Sequence, residues 1–236
     1  MTTVSVPGFK SDGATSGGMT VPFSDLRIAA YCPRKLYYVR RDDREPPAHV
    51  RNVRELAFRY SDLLDADDGT LSTRPIEVPA LQYRDRLRET RRSREDWADL
   101  VDPPARNVRL AGRDCGGIAH KVLEGPPRPS IVSTGSPPDR GVWEPQRVHA
   151  VAAAKALAWE RERPVEQAIV EYPAYGVIRD VRLTTRHKAA YRRTLRTVRG
   201  LDGPPPRLRD RSKCESCEYR GECGVRTRTV ASLLGR

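Results

Sequence analysis

No stretch of the 236-residue chain approaches the ~18 consecutive apolar residues that read as a membrane span. No membrane partner is therefore expected. Met1 to Met19 is rich in Gly, Ser and Thr and has no apolar core, which excludes a secretory signal. A disordered leader over residues 1–20 and a cytoplasmic protein are expected. An even cysteine count is also missing. Five cysteines without an export signal do not read as a disulfide framework, because cytosolic thiols are kept reduced. There is no internal repeat.

What is present is positive charge. The formal net charge is +12 and the isoelectric point about 9.9, with a mean hydropathy of -0.65. Arginine outnumbers lysine several-fold. Its planar fork matches phosphate oxygens, and a domain this basic is a nucleic-acid candidate. A basic, solvated surface is the plainer alternative. At this length one domain of ordinary size with small extensions is expected, enough to bury a substantial core.

The patterning predicts an α/β fold with one mixed sheet. Phe23–Arg41 reads as two short helical pieces broken at Cys32–Pro33, with Ser24 as N-cap and Asp25 in the first turn. A second helix is predicted over Arg54–Leu64, and a charged one over Arg84–Leu100. Val108–Leu110, Gly117–Leu123 and Ser130–Ser133 are β-prone runs separated by Gly and Pro. An alanine-rich helix follows over Trp143–Arg161. A hairpin, Gln167–Pro173 with Val177–Leu183, then leads to a basic helix over Thr185–Val198. Residues 21–203 form the expected main domain and 204–236 a cysteine-rich tail.

That tail holds Cys214 and Cys217 as CxxC, with Cys223 after five intervening residues. CxxC puts two thiolates on one tight turn, where both reach the same ion or cluster. Three ligands leave such a site one short, and Cys32, at a helix break, is the natural fourth. The tail has almost no other apolar content, so core burial does not explain its three cysteines. Cys115 lies between strands and reads as a small buried hydrophobe. Spacing alone leaves iron–sulfur and four-cysteine zinc open.

The segment FSDLRIAAYCPRKLYY, followed almost a domain later by CxxCxxxxxC, resembles the CRISPR-associated RecB-like exonucleases, the fourth Cas family. It also resembles the related nuclease domain of a eukaryotic replication helicase-nuclease. The likeness covers roughly residues 22–225. It implies a PD-(D/E)xK, restriction-endonuclease-like core closed by a 4Fe–4S cluster on Cys32, Cys214, Cys217 and Cys223. It further implies DNA and CRISPR adaptation proteins as partners.

The resemblance also places a nuclease site: a GxxD strand, an ExK strand, a QxxxY helix and an upstream histidine. Their acids would hold Mg or Mn to polarise the scissile phosphate and activate water. In this chain His120 stands at the aspartate, and Ser133 and Gly135 stand at ExK. Gln146 is kept, Ala150 replaces the tyrosine, and Arg54–Leu64 contains no histidine. Neutral histidine and serine do not supply the hard anionic oxygens that Mg²⁺ takes. A degenerate nuclease site is therefore expected, with His120 and His149 as satisfied structural groups.

Two alternatives remain at this stage. Asp114, Glu124, Asp139 and Glu144 lie near enough in sequence to form a displaced acid set for an active exonuclease. A cluster-bearing module that docks protein and not DNA is the other. For DNA binding the candidate residues are Arg34, Lys35, Arg192, Arg193 and Arg196, within runs that include Arg40, Arg41, Arg186, Lys188 and Arg199. Tyr37 and Tyr38 are candidates for stacking on bases or for packing around the cluster.

Overall fold

The computed structural model describes residues 20–42 and 47–224. The expected leader therefore lies almost wholly outside the described residues, as do the last residues of the tail, 225–236.

Six strands form one mixed sheet: β1 (Val21–Pro22), β2 (Ala105–Ala111), β3 (Cys115–Leu123), β4 (Arg128–Val132), β5 (Gln167–Tyr172) and β6 (Val177–Arg182). The spatial order is β1-β3-β4-β5-β6, with β2 along the other edge of β3. β1 runs parallel to β3 and β4 parallel to β5; the remaining pairs are antiparallel. The α/β class and mixed sheet expected from the sequence are present.

Helices cover both faces. On one lie α1 (Phe23–Tyr31), α8 (Glu144–Glu160) and α9 (Thr185–Arg199), sharing a core with Leu110, Ala119, Val122 and Ile131 of the sheet. Ala150, Ala152, Ala153, Ala154 and Ala156 of α8 are fully buried, and their small side chains let the helix approach the strands closely. On the other face are α3 (Ala48–Leu56), α4 (Tyr60–Asp65), α5 (Asp68–Ser72), α6 (Ala80–Ser93) and α7 (Trp97–Val101). They supply a second core of Leu56, Tyr60, Leu63, Tyr83 and Leu87 against Val132.

Three sequence expectations shift. Ser24 does not cap α1; Pro22 takes that place with no side-chain cap bond. The helix expected over 54–64 is two helices, because Ala57–Arg59 turn between α3 and α4. The charged helix starts four residues earlier than expected, at Ala80, and ends at Ser93, where extended Arg94 breaks it. Arg94 is diverted there to Asp96 and Asp180, at 2.8–2.9 Å.

A buried ion pair joins the layers. Lys121 of β3 and Glu171 of β5 are both wholly inaccessible and 2.8 Å apart. The Lys121 ammonium also donates to the carbonyls of Ala57 (2.6 Å) and Leu100 (2.7 Å), while Ser130 of β4 donates to Glu171. All three ammonium donors are thus used, the condition under which a buried charge is tolerable.

Candidate metal centre and the central cleft

Cys32 is fixed by its neighbours. Pro33 disfavours helical geometry at the residue before it and suits the first position of a helix. The chain accordingly ends α1, passes through an extended Cys32 (φ -160, ψ 116) and restarts as α2 (Pro33–Val39). In the tail, the single-turn helix α10 (Ser212–Glu215) carries Cys214. Tight turns follow: Cys217 N–H donates to Cys214 O at 3.3 Å, and Cys223 N–H to Tyr219 O at 2.8 Å.

Cys32, Cys214, Cys217 and Cys223 line one small pocket of about 20 Å³, partly open to solvent. All four are free thiols. Burial, then the neighbouring sulfurs of Cys32, Cys217 and Cys223, pushes the Cys214 thiol above its ordinary pKa. Arg34, Lys35, Lys213 and Arg220 line the same pocket and offer positive charge to thiolates. Among the described residues, no three His, Cys, Asp or Glu side chains stand where one metal ion could be held. Cys115 lies apart, 1% exposed, with its sulfur 3.2 Å from the Tyr191 hydroxyl.

Protein contacts hold the two ends together around this pocket. Tyr31 donates to Lys213 O (2.7 Å), Lys213 donates back to Tyr31 O (3.2 Å), and Arg34 donates to Pro205 O (2.8 Å). Lys35 pairs with Glu218 at 2.9 Å. Tyr38 stacks on Tyr219 with ring centroids 5.7 Å apart and donates to Glu222 O. Of the candidate DNA contacts, Arg34 and Lys35 are thus engaged in joining the termini. Tyr38 packs beside the pocket, and Tyr37 lies under the Arg41 guanidinium at 4.1 Å.

The second region is the central cleft. Along one edge of β3, β1 pairs only at Cys115–Gly116 and β4 only at Lys121–Leu123. Between these ladders the edge is open, and Phe23 of α1 lies against Gly117, where a Cβ would come within 2.6 Å of its ring. His120 sits at this opening, and its Nδ1 accepts the Val132 N–H at 3.1 Å, so the ring substitutes for a ladder acceptor. Gln146 donates to the Ser133 hydroxyl at 3.2 Å. His149 packs its ring 5.7 Å from Phe23. Gly135 is exposed beyond the strand, with nothing near its Cβ position.

His120, Ser133 and His149 are buried, at 8–9% exposure. Burial, then Arg54 and Lys121, lowers the His120 pKa to about 4. Burial, then Arg27, His120 and Arg54, holds His149 well below its ordinary value. Both imidazoles are neutral at pH 7, in surroundings that are already positive. His120 thus makes a backbone hydrogen bond, whereas neither ring nitrogen of His149 has a partner among the described residues.

The acids considered as a displaced set are spent elsewhere or stand apart. Asp114 pairs with Arg199 (3.1 Å) and Glu124 with Arg161 (3.0 Å). Asp139 and Glu144 are exposed, and Glu144 occupies the first turn of α8, where a carboxylate complements the helix dipole. The nearest buried carboxylate, Glu171, is saturated by Lys121 and Ser130. The sequence reading missed this pair. A lysine and a glutamate inside otherwise apolar strands were the available signal, since neither is buried without a partner.

Arg192, Arg193 and Arg196 are exposed on α9 and form no ion pair with a described residue. No helix among the described residues is long and apolar enough to cross a membrane.

No protein-family model matches the chain, and no curated protein matches it in sequence. Among solved structures, the crystal structure of SSO0001 is similar over 89% of this chain and 88% of its own, at 13% identity and a TM-score of 0.43. A likeness that loose supports no functional argument.

Proposed function

We propose that this is an iron–sulfur, nucleic-acid-binding protein with a RecB-like core whose divalent-metal cleavage site has been lost. The observation that carries the reading is the shared pocket of Cys32, Cys214, Cys217 and Cys223. A 4Fe–4S cluster there would act as a clasp, each thiolate ligating a different iron. One tetrahedral zinc, with Zn–S of about 2.3 Å, needs sulfurs only ~3.8 Å apart. Among the described residues no such group is disposed to hold a single metal ion, so the cluster reading rests on the shared pocket and the resemblance. The lysines and arginines around the pocket complement the negative charge of a thiolate-bound cluster.

The loss of cleavage rests on the central cleft. His120 accepts from the Val132 backbone and Gln146 donates to Ser133, both neutral hydrogen bonds, and cationic neighbours disfavour a further cation. With no free carboxylate there the cleft would not repel phosphate, and elsewhere on the surface the α9 arginines, without an ion pair to a described residue, would attract it. By its resemblance, the protein would work in the cytoplasm beside CRISPR adaptation proteins, binding DNA without cutting it.

The test uses the full chain purified with its cluster. Binding of labelled DNA should be strong at low salt and weaken steeply as salt rises, with no cleavage in Mg²⁺ or Mn²⁺. Metal-dependent degradation abolished by Asp114→Ala or Glu124→Ala would overturn the loss of cleavage. Absence of binding at low salt would overturn the nucleic-acid reading in favour of protein docking.

A further inference from the structure

On the face of α8 opposite Gln146 lies a groove that the cleft does not explain. Gln146 and Lys155 are nine residues apart, which is half a turn around the helix and about 13 Å along it. The groove is built from two adjoining depressions that share Asp114, Lys155 and Tyr191. The larger has a volume of about 260 Å³ and is walled by Lys188, Arg192 and Arg196 of α9. The smaller, about 210 Å³, reaches Arg113 and Trp159.

We infer that this groove binds single-stranded nucleic acid, with phosphates along α9 and a base stacked on Trp159. The inference rests on the nucleic-acid reading above and adds where the strand lies and in what form it is held.

Lys188, Arg192 and Arg196 recur every four residues, so they form one row with a step of about 6 Å along the helix. None of them forms an ion pair with a described residue, although many other arginines of this chain do. Paired cations are commonplace on a basic surface; an unpaired row facing one groove calls for an anionic occupant with repeated charge. The acid in the groove, Asp114, is held by Arg199 and does not oppose that occupant.

The floor is not only charged. Tyr191 and Leu195 are buried beneath the row, and Lys155 lies 5.7 Å over the Tyr191 ring. Trp159, at the end of α8, is an indole 57% exposed in the same depression as Arg113 and Lys155. An exposed aromatic beside a cationic track matches what an unpaired base and its backbone need. A duplex keeps its bases stacked internally and gains nothing from the indole. An acidic peptide would use the cations but not the ring.

The experiment measures binding of a fluorescent oligothymidylate, and of a duplex of equal length, to the full cluster-bearing chain as salt is varied. Iron content and far-UV spectra confirm that each variant is folded. Replacing Lys188, Arg192 and Arg196 together by Ala should reduce the slope of log affinity against log salt by about 2, at ~0.7 per lost single-strand contact. Trp159→Ala should weaken oligothymidylate binding tenfold or more while leaving the duplex unchanged, and Trp159→Phe should recover most of the loss.

Wild-type binding that neither change alters overturns the inference and leaves the nucleic-acid reading standing, because the strand then lies elsewhere. No binding by the wild type at low salt overturns both. Displacement by poly-glutamate, together with indifference to Trp159→Ala, would mark the groove as a dock for acidic protein and overturn the inference too.

Discussion

The cysteine pocket and the central cleft are both places where the sequence led one to look for metal ligands, and their side chains differ in kind. At the pocket, four thiols from the two ends of the chain still face one space, backed by cations and tied by Tyr31–Lys213, Arg34–Pro205 and Tyr38–Tyr219 contacts. At the cleft, β1 and β4 leave part of the edge of β3 open, and the side chains there are His120, Ser133 and Gln146. The four thiols stand where the described N- and C-terminal segments meet. The acids that the resemblance would place at the cleft, which would serve only a reaction, are not there: His120, Ser133 and Gly135 stand at those positions. On the proposed reading, folding and cleavage would place separate demands on this chain, and these residues would meet only the first.

That contrast can be broken most directly at the pocket. Cys214→Ala should abolish retained iron and detach the tail, costing on the order of 5 kcal/mol or more of stability, since a structural metal contributes its binding energy to folding. Iron determination and urea unfolding read both effects. At the cleft, His120→Asn and Ser133→Ala should leave iron content untouched; a loss there would tie the two regions together and undo the comparison.

Next in size is the ion pair beneath the cleft. Glu171→Ala leaves the Lys121 ammonium buried without its counter-charge, and a destabilisation of about 3–5 kcal/mol is expected by chemical denaturation. Acid should cost slightly less. The unfolded chain protonates His120 near its ordinary value of 6.5, whereas the folded protein resists until about 4. Stability is therefore intact above pH 6.5 and falls as the pH drops toward 4, by roughly 3 kcal/mol for this residue. In His120→Asn, whose amide oxygen can still accept the Val132 N–H, that part of the acid dependence should vanish. The smallest effect is expected from Tyr38→Phe, which loses the bond to Glu222 but keeps the stack on Tyr219, at about 1 kcal/mol.

Much of the fold was legible in the chain because local signals agreed with it. Pro33 announced the break at Cys32, the Gly- and Pro-bounded runs gave β2 to β4, and Gly176, at φ 60, supports the turn of the β5–β6 hairpin. Helix limits were less legible where tertiary contacts overrode periodicity, as at Ala57–Arg59, whose Ala57 carbonyl is drawn to Lys121. The four pocket cysteines could be named from spacing, because little else explains polar-flanked cysteines. The roles of Arg34, Lys35 and Tyr38 could not, since their partners lie far along the chain. Lys121 and Glu171 each look like ordinary charged residues until β3 and β5 are laid on either side of β4. The α8–α9 groove was half visible as a basic helix; only folding brings Trp159 and Lys155 to it.

The central claim is that the retained pocket holds a cluster as a clasp. The direct measurement is iron, sulfide and zinc content of the full chain purified without oxygen, taken with its visible spectrum. About four irons and four sulfides per chain, with a brown chromophore lost together with Cys32, are predicted. A colourless protein carrying one zinc and no iron would contradict it.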